Sequence, residues 1–256
     1  MSQLGSRAQM VPTAAGQALL GTFSRIRIIN LRHRADRRRE IAAQLRRLQL
    51  EVDGGRIAFH DACRPDDAGT FPSVGARGCF TSHLDVLEEA LADGAETLLI
   101  LEDDMDFVRD AEERIAAMMR DLSRVEWSLF YGGYECAHMP DASGGSIVRA
   151  DPDVAVGTTH FVALSRQAIE IAVPYLKQLA ARPPGHPDGG PMHVDGAYSW
   201  LRRSHPQLQT WLAEPQIGRQ RPSRTDIAPL GFVDRAFGLR HIAGGLRRLT
   251  RVLRNG

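Results

Sequence analysis

The sequence contains a single lysine, Lys177, among 32 basic residues, so arginine carries almost all of its positive charge. It also lacks a GxxxxGK[ST] segment, which excludes the phosphate-binding loop built from glycines and a lysine. Three cysteines without any CxxC spacing exclude a disulfide framework and favour a reducing compartment such as the cytosol. Any chemistry that requires a lysine therefore has one candidate, which lies in a helix-like stretch.

Long apolar runs and strong net charge are also absent. No apolar run approaches the roughly 20 residues of a membrane span. The net charge of +1 gives no overall nucleic-acid signal. The length of 256 residues suits one large α/β domain, which we place at residues 23–229. Residues 1–22 contain no apolar block like that of a signal peptide and are predicted to form a flexible leader.

Apolar runs with strand character alternate with amphipathic helical stretches along most of the chain. The predicted strands are residues 25–31, 56–60, 97–101, 127–131, 156–164 and 209–213. The predicted helices are residues 36–50, 78–93, 111–122, 166–180 with a break at Pro174, and 194–204. Glycine- and proline-rich residues 132–145 and 182–191 are predicted to be loops. This alternation predicts an α/β fold with a mainly parallel central sheet covered by helices on both faces.

Residues 97–107 (TLLILEDDMDF) combine a predicted central strand with a cluster of acidic residues. The apolar run indicates a strand buried on both faces, and it must reach the surface at Glu102 because buried unpaired charges are costly. Glu102, Asp103 and Asp104 then lie at the carboxyl end of a strand, where open α/β sheets bind ligands. Oxygen ligands alone favour Mg²⁺ or Mn²⁺. The alternative is an acidic turn that caps the next helix.

A basic loop follows the first predicted strand. Residues 31–38 hold Arg34 and Arg37 between a strand and its helix, a position that suits an anionic ligand such as phosphate. The alternative is an arginine-rich face in solvent, and we prefer that interpretation for four arginines: Arg38, Arg39, Arg46 and Arg47.

The C-terminal residues have a different character. In residues 230–256, apolar and basic side chains fall on opposite faces of a helical wheel, and no acidic residue follows Asp234. This pattern predicts a basic amphipathic C-terminal helix that binds an anionic membrane surface through residues 235–256. The alternative is a helix docked on the main domain, and Gly244 and Gly245 weaken either helix.

Six motifs in this order resemble glycosyltransferase family 25, the lipooligosaccharide galactosyltransferase-like enzymes, over roughly residues 25–227. They are IINLRHRADRR (28–38), GARGCFTSH (75–83), LLILEDD (98–104), GTTHFVALSRQAI (157–169), HVDGAYSWL (193–201) and EPQIGRQRPSRTDI (214–227). The resemblance implies a GT-A-like nucleotide-binding α/β sandwich. It also implies inverting transfer of a sugar, typically galactose from UDP-galactose, with Mn²⁺ or Mg²⁺.

The resemblance also assigns roles to individual residues. It implies nucleotide-side contacts from Asn30, Leu31, Arg34, Arg37, Ser82, His83, Glu102 and Asp103. It implies metal binding by Asp104 with Glu102, and His193 is a candidate to complete the shell. Asp195 matches a later acid that is either the catalytic base or a further metal ligand. Pro215, Gln216 and residues 223–227 match a closing motif, whereas Ala76 stands where the family often has glutamate.

The resulting hypothesis is a cytoplasmic glycosyltransferase at the inner face of the membrane. Its acceptor is expected to be a saccharide of lipopolysaccharide or another cell-envelope glycan, free or lipid-linked. Two alternatives stay open: a non-catalytic nucleotide-sugar-binding protein of the same fold, and a metal-dependent phosphohydrolase. A zinc site at Cys79 and His83 is disfavoured, because two ligands do not make a tetrahedral site.

Overall fold

The computed structural model describes residues 11–136 and 145–222, which belong to a compact unit that ends at Pro222. Its helices are α1 (Ala14–Thr22), α2 (Ala35–Arg47), α3 (Val74–Ala92), α4 (Ala111–Leu122), α5 (Arg166–Ala181) and α6 (Val194–Ser204). Its strands are β1 (Arg25–Asn30), β2 (Ile57–Asp61), β3 (Thr97–Glu102), β4 (Met105–Phe107), β5 (Leu129–Cys136), β6 (Ile147–Ala150), β7 (Val156–Ser165), β8 (Thr210–Ala213) and β9 (Gly218–Gln220).

Seven strands form one central sheet in the order β2-β1-β3-β7-β5-β8-β6. β1 pairs in parallel with both β2 and β3, and β5 pairs in parallel with β8. β7 runs antiparallel between β3 and β5, and β6 runs antiparallel at the edge. Five of the seven strands thus share one direction, which confirms the predicted α/β class with a mainly parallel central sheet.

The predicted central strand is buried on both faces because its side chains alternate between two cores. Leu98 and Ile100 join the core that includes side chains of α3, α5 and α6. Leu99 and Leu101 join the core that includes side chains of α1, α2 and α4. Each of the four side chains is at most 1% exposed, so β3 has no solvated face until it ends at Glu102.

Three predictions about secondary structure were wrong. Part of the predicted flexible leader of residues 1–22 is the helix α1, which is capped by Thr13 and buries Ala15 and Leu19. The predicted break at Pro174 does not occur, because α5 continues through that residue. β5 extends to Cys136, into the predicted glycine-rich loop, where glycines allow close approach of Phe161 and His160.

Three short strands were missed. β4 and β9 pair with each other antiparallel, and β6 pairs with β8. The β4–β9 pair matters for the site, because it carries Gln220 and Arg221 to the acids that follow β3.

Several predictions lie outside the described residues. These are the basic tail of residues 230–256, the closing segment of residues 223–227, and the first ten residues of the leader. Within the described ranges, no helix is long and apolar enough to cross a membrane.

Candidate active site

Two parallel strands bring the first predicted site residues together. The register of β1 and β3 sets Ile29 opposite Glu102, so the next residues, Asn30 and Asp103, lie side by side at the ends of these strands. The Asn30 side-chain amide donates a hydrogen bond of 2.6 Å to Asp103 Oδ2. Residues at the ends of two parallel strands therefore meet at the carboxyl edge of the sheet.

Asp103 has partners on both carboxylate oxygens. Arg37 donates to its Oδ1 at 2.8 Å, from the first turn of α2. Asp103 is 6% exposed, and this pairing compensates its buried charge. Arg38 in turn donates to Asn30 Oδ1 at 2.6 Å, so Arg38 does not belong to the solvent-facing set predicted for it. Arg47 is exposed, as predicted, and also donates to the carbonyls of Phe107 and Val108.

Asp104 is nearly as buried, at 7% exposed, but is poorly compensated. Its Oδ1 is buried without a hydrogen-bond partner, and its Oδ2 accepts a long hydrogen bond of 3.4 Å from Gln220. The nearest cation is Arg37, 3.8 Å from Oδ2. Burial, followed by the charges of Glu102 and Asp103, raises the pKa of Asp104 to about 7. An additional cation at this carboxylate would relieve the repulsion.

Glu102 ends β3 and is held by two neighbours. The Thr159 hydroxyl donates to its Oε1 at 2.6 Å, and His83 Nε2 lies 3.6 Å from the same oxygen. Burial opposes ionisation of Glu102, but the interactions with His83 and Thr159 outweigh it and lower the pKa of this carboxyl. Glu102 is therefore ionised beside Asp104.

Asp195 lies in the first turn of α6. Its Oδ1 accepts from the Gly196 backbone N–H at 2.7 Å, and its Oδ2 accepts from the Thr158 N–H at 3.3 Å. Thr158 has a positive φ of 60°, which is unfavourable for a β-branched residue. The Thr158 hydroxyl oxygen is also buried without a hydrogen-bond partner. Such strain is commonly found at functional sites, so it supports a functional role for this corner of the sheet.

α3 supplies Cys79 and His83 to the same region. Burial, then the charges of Glu102, Asp195 and Asp104, raise the pKa of the Cys79 thiol. The Cys79 thiol is therefore close enough to three of the predicted acids for their charges to raise its pKa. The ligating atoms of Cys79, His83 and Glu102 lie within 4.8 Å of one another.

Other predicted residues have partners of their own or lie apart. Arg34 is paired with Asp36, and the Asp36 pKa is lowered by this hydrogen bond. Ser82 donates to the Gly78 carbonyl and accepts from the Cys63 N–H, which ties α3 to the loop after β2. Leu31 is half-buried just after β1. Nε2 of His193 is buried without a hydrogen-bond partner, two residues before Asp195.

Three contributors to the site were not predicted from the sequence: Thr158, Thr159 and Gln220. The two threonines lie within the motif of residues 157–169, and Gln220 lies within the motif of residues 214–227. The motifs marked the right segments, but hydroxyl and amide side chains did not stand out beside acids and histidines.

The residues around Asp104 suit a hard divalent cation. They offer carboxylate oxygens, one of them buried and unpartnered, in a region with more negative than positive charge. The predicted metal ligands Asp104, Glu102 and His193 stay a prediction. The one group of ligating atoms that converges in the described part of the chain contains Glu102 but neither Asp104 nor His193.

Comparison with known proteins shows what part of this chain resembles. Residues 23–144 match the family model described as "Glycosyltransferase family 25 (LPS biosynthesis protein)". A "Glycosyltransferase 25 family member" from Aedes aegypti is 31% identical over 127 residues, which are 43% of this chain and 21% of the relative. "Procollagen galactosyltransferase 1-B" from Xenopus laevis is 28% identical, over 44% of this chain and 21% of that protein.

Two further matches complete the comparison. "Inactive glycosyltransferase 25 family member 3" from Homo sapiens is 28% identical over 131 residues, which are 43% of this chain and 22% of the relative. A solved glycosyltransferase "involved in the glycosylation of the major capsid of PBCV-1" aligns with a TM-score of 0.38 and 13% identity, over 74% of this chain and 93% of that chain.

Residues 23–144, just under half of the chain, are similar to glycosyltransferase family 25. This segment contains Asn30, Arg37 and the acids at the end of β3. The chain spans about a fifth of the length of the curated relatives it matches.

Proposed function

We propose that this chain is a metal-dependent inverting glycosyltransferase that moves galactose from UDP-galactose onto a saccharide. The observation that carries the proposal is the state of Asp104. It is a buried carboxylate with one unpartnered oxygen, beside Glu102 and Asp103, at the carboxyl edge of parallel strands inside the family segment. The galactose donor is supported by a relative whose name is procollagen galactosyltransferase.

The donor side of the site is built from β1, α2 and the end of β3. Asp104 and Glu102 would hold Mn²⁺ or Mg²⁺, with His193 as a third candidate ligand. When bound, the cation supplies neutralising charge to the diphosphate leaving group. Arg37 is held by Asp103 near the start of α2, and helix N-termini favour anions, so this corner suits the phosphates. Asn30 and Asp103 keep that corner in place through their hydrogen bond.

Asp195 is suited to accept the proton of the acceptor hydroxyl. Inverting transfer needs one carboxylate to take that proton as the new bond forms. The N–H groups of Thr158 and Gly196 each hold one Asp195 oxygen, which fixes the plane of the carboxylate. A base held in this way is oriented before the acceptor binds.

The first experiment is a calorimetric titration of the full chain with UDP, in Mn²⁺ and then in EDTA. We expect binding that requires Mn²⁺ and that weakens at least tenfold in Asp104→Asn. Asp93→Asn is the matched control, because Asp93 caps the other end of α3 and pairs with Arg25. Binding that is equal in Mn²⁺ and EDTA would overturn the metal-dependent site.

Turnover is a separate measurement. Release of UDP from UDP-galactose, with and without saccharide acceptors, should require Mn²⁺ and be lost in Asp195→Asn. Because one relative is named as inactive, UDP binding without any turnover would favour a non-catalytic nucleotide-sugar-binding protein instead.

The acceptor and the location are part of the same proposal. The matching family is described as "LPS biosynthesis protein", so a lipopolysaccharide or other cell-envelope saccharide is the acceptor that we propose. The basic residues 235–256 would then bring the enzyme to the cytoplasmic face of an anionic membrane. Deletion of residues 235–256 should abolish sedimentation with anionic vesicles, and unchanged sedimentation would contradict this role.

A further inference from the structure

Cys79, His83 and Glu102 form a second cluster of metal-ligating atoms beside the acids. Cys79 and His83 are four residues apart on α3, so both side chains project from one face of the helix. Glu102 reaches them from the end of β3. The three ligating atoms lie within 4.8 Å of one another, and His83 Nε2 lies 3.6 Å from Glu102 Oε1.

His83 is arranged as a metal ligand would be. Its side chain is fully buried, and its Nδ1 lies 3.3 Å from the Tyr198 hydroxyl. Its Nε2 is buried without a hydrogen-bond partner. Histidines that bind metals usually have the other ring nitrogen hydrogen-bonded in this way, which fixes the tautomer and the ring orientation. This nitrogen faces Glu102 Oε1 at 3.6 Å, too far for a hydrogen bond, and a cation between the two atoms would bind both.

We propose that Cys79, His83 and Glu102 bind a thiophilic divalent cation, Zn²⁺, at a site that shares Glu102 with the proposed Mn²⁺ or Mg²⁺ site but does not include Asp104. Thiolate, imidazole and carboxylate are all ligands that Zn²⁺ takes in proteins, whereas Mg²⁺ and Mn²⁺ favour oxygen. Usual Zn–N and Zn–S bond lengths put tetrahedral ligand atoms roughly 3.3–3.8 Å apart. The His83–Glu102 distance is already in that range, and Cys79 needs only a small movement.

Binding at this site has a defined chemical balance. The Cys79 thiol releases one proton to solvent when its sulfur binds the cation. Three protein ligands leave the fourth tetrahedral position to water. The proposal is tested by metal binding alone, without a nucleotide sugar, so its failure is distinguishable from failure of the proposed function.

Cobalt provides a direct test because Co²⁺ substitutes for Zn²⁺ and absorbs light. Titration of the full chain with Co²⁺ should give a thiolate-to-cobalt absorption band that saturates at one equivalent and is removed by Zn²⁺. The band should disappear in Cys79→Ser and persist in two control variants, Cys63→Ser and Cys136→Ser. No band in the wild type, or a band retained in Cys79→Ser, would overturn the proposal.

Three further measurements test the ligands of this site. Tyr198→Phe should keep the band but weaken Zn²⁺ binding about 10–100-fold, because it removes the partner that orients His83. Asp104→Asn should keep the band unchanged, and loss of the band there would contradict a site that does not include Asp104. In the wild type, Zn²⁺ should protect Cys79 from alkylation as measured by mass spectrometry. Equal alkylation with and without Zn²⁺ would contradict the site even if Cys79→Ser failed to fold.

Discussion

Asn30 and Asp103 are joined by a hydrogen bond of 2.6 Å although 73 positions separate them in the chain. Asn30 is 1% exposed, and its amide oxygen also accepts from Arg38. One amide thus holds a buried carboxylate on one side and a guanidinium on the other. It connects β1, α2 and the segment after β3, which are the three elements of the proposed donor site.

Asn30→Ala should therefore lower the free energy of unfolding by about 1–3 kcal/mol, because it leaves the buried Oδ2 of Asp103 without its donor. Arg32→Ala is the control, since the Arg32 side chain is 87% exposed and lies 3.9 Å from Asp61. The control should change stability by less than about 0.5 kcal/mol. Urea denaturation of both variants measures the difference, and equal midpoints would contradict a structural role for Asn30.

The pKa of Asp104 makes stability depend on pH in the metal-free protein. The folded-state pKa of about 7 lies above the ordinary aspartate pKa of 3.8, so the folded protein holds this proton more tightly than the unfolded chain. Stability from this group is present at low pH and is lost as the pH rises through 7. In EDTA, lowering the pH from 8 to 5 should therefore stabilise the wild type through Asp104 by about 2 kcal/mol.

The control for this prediction is Asp104→Asn, which cannot titrate. The other charges facing Asp104, those of Glu102, Asp103 and Arg37, remain in the variant. Thermal unfolding at both pH values should show a smaller pH dependence in the variant than in the wild type. The same dependence in both proteins would show that Asp104 is not the group responsible.

Thr158 provides a test of backbone strain. Its φ of 60° favours glycine, so Thr158→Gly should relieve the strain and raise stability by roughly 1 kcal/mol. Thr159→Gly is the matched comparison at the next position, where the hydroxyl donates to Glu102. That variant should instead lose about 1–3 kcal/mol, because it leaves a buried carboxylate without its donor. If chemical denaturation shows Thr158→Gly to be less stable than Thr159→Gly, the backbone of Thr158 is not strained as expected.

The strand at the centre of the fold was predictable from sequence because both of its faces are buried. Residues 98–101 are continuously apolar, and the two cores take alternate side chains. The helix α4 was also predicted with its observed bounds, since its apolar positions recur at helical spacing. Elements with such strong local patterns can be predicted without knowledge of distant contacts.

The missed elements lack such patterns. β4 and β9 are three residues each, too short to show a period, and they form only because they pair across more than 100 residues. α1 buries small residues, Ala15 and Gly16, which carry little hydrophobic signal. Its position in the core is a property of the packed protein and not of the local sequence.

The roles of Glu102, Asp103 and Asp104 could not be distinguished from sequence alone. Adjacent acids look alike in the chain, but Asp103 is satisfied by Asn30 and Arg37, whereas Asp104 keeps an unpartnered oxygen. The partners that distinguish them come from β1 and α2. The role of Asp104 as the main metal ligand stays a prediction, which its charge environment supports.

Gly133 of β5 lies against β9, the strand that carries Gln220 to Asp104. A Cβ atom at Gly133 would lie 2.1 Å from His160 Nε2 and 2.6 Å from the Gly218 carbonyl oxygen. The second contact is with the backbone of β9, two residues before Gln220, which donates to Asp104. Gly133→Ala should therefore displace β9 and lower stability by about 1–3 kcal/mol.

Gly21→Ala is the matched control, because a Cβ at Gly21 meets nothing within 4 Å and alanine favours the helix α1. That variant should be as stable as the wild type or up to about 1 kcal/mol more stable. Denaturation midpoints compare the two substitutions, and UDP titration in Mn²⁺ compares their effect on the site. Because Gly133 has no side chain to bind a ligand, weaker UDP binding by folded Gly133→Ala would have to act through β9 and Gln220. Stability and binding equal to those of Gly21→Ala would show that β9 does not depend on this close approach.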